Sequence, residues 1–399
     1  MSTTVELNSL VVPGAPICYG ILMPGADTFG GIPVVKVRDY DHNGIDVDQL
    51  LRAAPEIEVA YRRSRLEPGD ILMSIRGTTG VIAIVPPTLK GANITQDTAR
   101  IRVEQQDRDY LYQALHAPSV QRQIRLHTIG QAVRGINIGA VRRLQIPWPG
   151  PRARKLMART LGDCDSIIRA LGQLIDRKRT FKRGLMQQLL TGQKRFPEFQ
   201  ARPWHLSRLG DHVAEVSRRN REGVTLVLTA SGEHGLVDQC RYFSRSVAGA
   251  DLSRYYVLRK GEFAYNRSAM NGYPYGATKR LDAHDEGALS TLYLCFAISD
   301  PQLDSDFLKH TFESGLLNRQ LRPIVRVGAR AHGLLNVLDD DYLSIRIPFP
   351  KQDEQRRIAD VLNALDRELD LLTAQREQVE IYKRALLSKL LSGEIPVPA

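Results

Sequence analysis

The chain is poor in the groups from which catalytic centres are assembled. Its four cysteines, Cys18, Cys164, Cys240 and Cys295, lie far apart with no CxxC pair. They form neither a zinc pattern nor a disulfide framework, and buried thiols in a reducing cytoplasm are the reading. The nine histidines include no HExxH and no cluster with metal-ligand spacing. No GxxxxGK[ST] phosphate loop occurs, which excludes ATP-driven translocation by this chain. A DNA methyltransferase needs a glycine-rich cofactor loop and an Asn/Asp-Pro-Pro-aromatic run. The nearest strings, Val85-Pro86-Pro87-Thr88 and Asn271-Gly272-Tyr273-Pro274-Tyr275, lack that order. No apolar run approaches a membrane span, and the opening MSTTVELNSL lacks the basic patch and apolar core of a leader. No constellation for catalysis is left.

What the chain does have is one stretch carried twice. IPWPGPRARKLMARTLGDCDSIIRALGQLIDRKRTFKRGLMQQLLTG starts at Ile146 and IPFPKQDEQRRIADVLNALDRELDLLTAQREQVEIYKRALLSKLLSG at Ile347. The copies end at Gly192 and Gly393, so the offset stays at 201 residues without a gap. Proline at the start and glycine at the end are the marks of one long helix in each copy. In the first, Met157, Leu161, Cys164, Ile168, Leu171 and Ile175 step by four and three. In the second, Ile358, Leu362, Leu365, Leu369, Leu372, Val379, Tyr382, Leu386 and Leu390 keep that rhythm, with Arg376 interrupting it. Neither helix can bury such a seam alone, so the two are expected to pack together as a coiled coil.

The helices divide the chain into a head at 1–145, a helix at 146–195, a second head at 196–346 and a helix at 347–399. Both heads alternate short apolar runs with turns, giving an α+β class with mixed, strand-rich globular domains. In the first head strands are expected over Ile32–Val37, Asp70–Ile75 and Val81–Val85, and a helix over Tyr110–Arg125. The second head opens at Trp204 and repeats this grammar loosely. LRKGEFAYN from Leu258 echoes LEPGDILMS from Leu66, and GARAHGLLN from Gly328 echoes GQAVRGIN from Gly130.

The net charge of +11 favours a polyanionic partner, because steering and counterion release both reward it. The loops and strand ends carry matching chemistry. The first head offers Lys36, Arg38, Arg76, Thr78, Thr79, Asn93, Gln96, Thr98, Gln131, Arg134 and Asn137. The second offers Asn266, Arg267, Ser268, Tyr273, Tyr275, Lys279, Arg280, Arg326, Arg330 and His332. Arginine pairs with guanine, Asn or Gln with adenine, and Thr meets a thymine methyl, so this inventory reads major-groove edges. Any one of these residues alone reads as a solvated loop residue; as a set in matching places on both heads they favour DNA. The basic run Arg177-Lys178-Arg179, with Lys182 and Arg183, reads as the solvated flank of a coiled coil, since its counterpart around Gln378-Val379-Glu380 keeps only part of the charge.

At this point the chain resembles the DNA-specificity subunits of Type I restriction-modification systems. The residues that carry the resemblance are KRGLMQQLLTG from Lys182, KRALLSKLLSG from Lys383, the two Ile-Pro-aromatic-Pro lead-ins, and Asp353-Glu354-Gln355-Arg356-Arg357-Ile358. GANITQDTARI from Gly91 and YNRSAMNGYPYGATKRL from Tyr265 are similar to the family's target-recognition domains. Two departures stand out: the first head lacks a Trp-led opening, and the first helix has Pro151-Arg152-Ala153-Arg154 in place of the acidic-Gln-Arg lead-in. The resemblance implies two target-recognition domains separated by two long antiparallel helices with pseudo-two-fold symmetry. It implies a non-catalytic subunit that binds a bipartite, asymmetric site in double-stranded DNA, one half per head, with the helices measuring the spacer. Partners follow from the same resemblance: two methyltransferase subunits using S-adenosylmethionine on adenine N6, and restriction subunits driven by ATP with magnesium, with no cofactor in this chain. Two other classes stay open on the residues alone, a stand-alone methyltransferase or nuclease and a coiled-coil adaptor without a DNA role.

Overall fold

The computed structural model describes residues 3–41, 44–130, 134–232, 234–243, 251–270, 272–327 and 335–396. Each repeated stretch is a single helix, Pro151–Leu189 of 39 residues and Gln352–Ser392 of 41 residues. At about 1.5 Å per residue each runs for roughly 60 Å. Gly192 and Gly393 beyond the helix ends have φ of 71° and 80°, the left-handed conformation that a side chain would oppose. Among the described residues no helix is long and apolar enough to cross a membrane.

The chain divides into two compact units, one of residues 1–174 and 372–399, the other of residues 175–371. The division falls inside both long helices, so each unit holds a head and a half of each helix. Within the first unit Met157 and Leu161 share a core with Leu387, and partly buried Leu386, Leu390 and Leu391 pack against it. Within the second, Ile358 and Leu362 share a core with Met186, Leu189 and Leu190. Early residues of one helix thus meet late residues of the other, and the halves are antiparallel in both units. Leu161 and Leu362, equivalent in the repeat, are fully buried, each worth about 1.5–3 kcal/mol of transfer free energy. The seam departs from the heptad reading at Tyr382, which is 61% exposed, while Leu387 is buried. Over so long a helix a 3.6-residue turn drifts against a strict heptad, and the buried face moves on by one residue.

The two heads share the topology of their four-stranded sheet and differ in the smaller sheets around it. The first contains a four-stranded antiparallel sheet in the order Cys18–Tyr19, Thr98–Ile101, Ile71–Ser74, Ile82–Ile84. The second repeats it as Val213–Glu215, Leu294–Ile298, Phe263–Asn266, Ala277–Arg280. The central strands Ile71–Ser74 and Thr98–Ile101 are buried along their whole length because both faces are covered. The strand expected over Ile32–Val37 is shorter, Ile32–Val35.

A ribbon closes each head onto its helix. Thr4 pairs with Pro147 and Glu6 with Gln145; in the second head Leu206 pairs with Pro348 and Arg208 with Arg346. The next backbone bond is also repeated, from the Leu7 N–H to the Leu144 carbonyl at 2.9 Å and from the Leu209 N–H to the Ile345 carbonyl at 2.8 Å. A glutamine clamps both ribbons, Gln123 on both backbone groups of Gln145 and Gln320 on both of Arg346. The first head therefore opens as the second does, without the tryptophan. The lead-ins differ for a reason seen in the contacts. Trp204 donates its indole N–H to buried Glu354 at 2.9 Å, which Arg195 also grips. In the first unit Arg154 lies 4.4 Å over the Trp148 ring and bonds Asp107 at 2.9 Å, so an arginine and a different tryptophan do that job.

The single helix expected over Tyr110–Arg125 is two, Gln105–Leu115 and Pro118–His127. Pro118 forces the preceding Ala117 into the extended region, at ψ 140°, and the first helix stops there.

Candidate nucleic-acid interface

In the first head the loops gather part of the polar inventory around Arg76. Arg76, Gln96 and Asn137 line one surface depression of about 340 Å³, together with Tyr19 and Leu22. Arg38, Arg76 and Thr78 line a second, beside Tyr40 and Asp97. Arg76 is common to both. The loop that presents it leaves the strand Ile71–Ser74, and the Ser74 hydroxyl closes it by donating to the Thr78 carbonyl at 2.5 Å and accepting the Val81 N–H at 2.8 Å. The Arg76 guanidinium stands 3.8 Å from Asp97, and both side chains are about half exposed. Such a pair in water contributes little energy, so it orients the arginine while leaving it free to exchange partners. Arg38 and Arg134 are exposed. Asn137 caps the helix Ile138–Arg142 through its carboxamide oxygen, and Thr79 is tied to Thr128 by a hydroxyl pair at 3.0 Å. Lys36 is half-buried at the end of its strand, its N–H held by Asp39.

Asn93 and Thr98 are corrections to the sequence reading, because both are fully buried. Asn93 donates to Glu58 at 3.0 Å and to the Tyr61 carbonyl at 3.1 Å, and accepts from Ser64 at 2.8 Å. Glu58 is also gripped by Arg65, whose hydrogen bonds hold the carboxyl below its ordinary range. Thr98 shares a hydrogen bond with the Tyr40 hydroxyl, whose pKa burial pushes up. Buried polar groups must be paired, and these two are paired inside the fold, away from any groove.

In the second head Asn266, Arg267 and Ser268 line a depression of about 730 Å³, with Ser231, His234 and Tyr293 around it. Three candidates are committed elsewhere. Buried Lys279 donates to the Tyr273 hydroxyl at 2.8 Å and to the Gly232 carbonyl at 3.0 Å, with its ammonium 4.4 Å over the Tyr273 ring. Arg280 bonds Asp282 at 2.6 Å, Ser305 at 2.8 Å and Asp306 at 2.7 Å. Tyr275 accepts the Tyr265 hydroxyl on its carbonyl and packs on the core. Lys279 and Arg280 thus lock the fold of the loop, a second correction. Arg267 pairs with Asp339. Arg326 begins a two-residue strand, Arg326–Val327. Gln131, Arg330 and His332 fall outside the described residues.

Beneath each head the long helices carry a polar lock. Lys383 meets Asp165 at 2.5 Å in the first unit, and Lys182 meets Asp366 at 2.5 Å in the second. Both pairs obey the 201-residue offset. In the first, Asp165 also accepts from Gln113 at 2.6 Å. In the second, fully buried His310 and partly buried Glu313 join: the His310 Nδ1 lies 3.7 Å from Glu313 and 3.9 Å from Asp366, and its Nε2 donates to Asn363 at 2.8 Å. His310, Glu313 and Asp366 have the composition of a metal site, but the Lys182 ammonium already supplies the positive charge, 2.5 Å from one carboxylate and 3.8 Å from the other. Lys178, at 2.7 Å from Glu368, adds a third pair. Two members of the basic run are therefore spent on the scaffold.

Sequence reasoning missed Tyr19 and Leu22, apolar residues at the rim of the Arg76 depression, and it missed Asn336, exposed at the end of the strand Leu335–Asn336. A signal for Asn336 was present in the echo of GQAVRGIN by GARAHGLLN, which aligns it with Asn137.

No protein-family model matches the chain. It is 36% identical over 98 residues to the specificity subunit of the Type I restriction enzyme EcoBI of Escherichia coli, a match that spans 25% of this chain and 20% of that protein. It is 23% identical over 322 residues, 74% of this chain and 73% of the relative, to the MjaVIII specificity subunit of Methanocaldococcus jannaschii. Among solved structures it is similar to the Type I restriction-modification S subunit from M. genitalium, with a TM-score of 0.57 and 16% identity over 97% of this chain and 95% of that one. A second solved chain, from work on complex assembly and conformational transition of the type I R-M system, gives 0.55 and 17% over 98% of both. In fold and in sequence the chain resembles these specificity subunits.

Proposed function

We propose that this chain is the non-catalytic DNA-specificity subunit of a Type I restriction-modification system. It reads a bipartite, asymmetric duplex site, one half per head, and directs adenine-N6 methylation and restriction by partner subunits. The observation that carries the reading is repetition at two levels. Two heads built on the same four-stranded sheet, each with a polar depression beside the loop after its central strand, are joined through equivalent ribbons to helices of repeated sequence. One scaffold with two different surfaces suits recognition of two different half-sites, and the names of the relatives support it.

The chemistry asked of this chain is binding. Phosphate contacts position a protein on the duplex and base-edge contacts give sequence, so the exposed arginines serve the first and the Arg76, Gln96 and Asn137 group the second. Length in the helices becomes spacer length in the site, because one turn of DNA advances about 34 Å. Two methyltransferase subunits bring S-adenosylmethionine, and translocating restriction subunits bring ATP and magnesium. The reading places all of this in the cytoplasm, where host DNA is methylated.

The test is adenine-methylation sequencing after the chain is expressed with its methyltransferase subunits in a host lacking them. A single bipartite motif should appear, and disappear when this chain is omitted. Methylation that persists without the chain would remove its role in specificity.

A further inference from the structure

The two heads do not place the same kind of side chain where their reading loops start. In the first head the Ile75 carbonyl accepts the Ile136 N–H at 2.9 Å, and Arg76 bridges Gly135. In the second the Arg267 carbonyl accepts the Leu335 N–H at 2.8 Å. Ile136 and Leu335 are both buried. By this register Arg267 occupies the place of the core residue Ile75, Ser268 that of Arg76, and Asn336 that of Asn137.

Neighbouring residues of an extended chain point to opposite faces, so the one-residue difference sets which side chain takes the place of the core residue Ile75. Arg267 turns to the side on which Ile75 is buried. There its guanidinium pairs with Asp339 in the first turn of the helix Asp339–Leu343, with the Nε atom buried and without a hydrogen-bond partner. An arginine that already holds a carboxylate has given up part of the donor fork that guanine needs. Asn336 is exposed, and Ser268 lines the depression of the second head beside Arg267, whose guanidinium is held by Asp339.

We infer that Ser268 and Asn336 are the specificity-determining side chains of the second head, and that Arg267 is a positioning residue that pins their loop to the helix Asp339–Leu343. The inference rests on the DNA-reading function proposed above. Asparagine pairs with adenine through its carboxamide, and serine accepts or donates to several bases. The second half-site then contains an adenine read by Asn336, and a neighbouring position held less strictly by Ser268.

The test is methylation sequencing in the host with Ser268→Ala, Asn336→Ala, Arg267→Met and, in the other head, Arg76→Ala. Asn336→Ala should relax one position of the second half-site by about 5- to 150-fold, the range for one good base contact. Ser268→Ala should relax another by less, and Ser268→Arg should bring in a guanine preference. Arg267→Met should lower methylation of every variant of the site alike, with the consensus kept and the thermal midpoint of the chain reduced. A second half-site altered by Arg267→Met and untouched by the Ser268 and Asn336 variants would overturn the inference while leaving the proposed function intact. If no variant of either head, Arg76→Ala included, changes a consensus, the assignment of reading to these loops fails with it.

Discussion

Removing one lysine from each polar lock should cost the two units unequally. In the first unit Lys383→Met strands one carboxylate, and Asp165 keeps its bond from Gln113 at 2.6 Å. In the second, Lys182→Met strands two, Asp366 and Glu313, leaving them the His310 ring and, for Glu313, the more distant charge of Lys279. Both lysine side chains are about one-eighth exposed, at 12% and 14%. The pairs thus lie between exposed bridges, worth about 0–1 kcal/mol, and fully buried ones, whose breakage costs about 3–5 kcal/mol. We expect about 1–2 kcal/mol for Lys383→Met and about 2–4 kcal/mol for Lys182→Met, the methionine keeping the apolar stem in place. Urea denaturation of the purified chain, followed by circular dichroism, measures both. Adding Asp366→Asn to Lys182→Met should recover about 1–2 kcal/mol in a double-mutant cycle. Equal losses for the two lysines, or a larger loss for Lys383→Met, would refute the reasoning.

Three further outcomes follow from the geometry. Arg76→Ala should alter the half-site read by the first head and leave the other unchanged in methylation sequencing; an equal loss of binding on random duplexes would mark Arg76 as a phosphate contact. A heptad inserted after Ile168, matched by one after Leu372 so that the Asp165–Lys383 and Lys178–Glu368 pairs both survive, should change the preferred spacer and keep both half-sites; altered half-sites with an unaltered spacer would contradict the ruler. Burial works to raise the Glu313 carboxyl, yet the His310 ring and the charges of Lys182 and Lys279 outweigh it and hold the pKa at about 2 against an ordinary 4.5. A depressed carboxylate stabilises the fold above pH 4.5 and loses that contribution as pH falls toward 2, so acid titration should show a loss of at most about 3 kcal/mol that is missing in Glu313→Gln.

The scaffold was legible because its positions repeat. Met157 and Ile358, Leu161 and Leu362, Asp165 and Asp366, Lys182 and Lys383 are the same places in the two copies, and structure needs the same side-chain types there. The heads were legible in outline, since turn glycines and apolar runs mark strands, but less so in their polar residues. Asn93 and Thr98 have the composition of groove readers and serve instead as partners of Glu58 and Tyr40 in the core, a distinction set by burial alone. Lys279 and Arg280 failed similarly, because their carboxylate and ring partners are distant in sequence or approach only once the loop is folded. Arg267 shows the sharpest limit. The Leu335 hydrogen bond sets Arg267 level with the core residue Ile75, in step with the echo of residues 66–74 by residues 258–266, and composition alone does not show which face of the strand it takes.

The central claim is that one chain with two dissimilar heads sets a two-part DNA address. It is tested most directly by exchanging residues 205–345 for the same head of a relative with a different methylation motif and sequencing adenine methylation in the host. The account predicts a hybrid motif in which one half-site changes while the other half and the spacer stay as they were. A motif that is unchanged, or that changes in both halves at once, would contradict it.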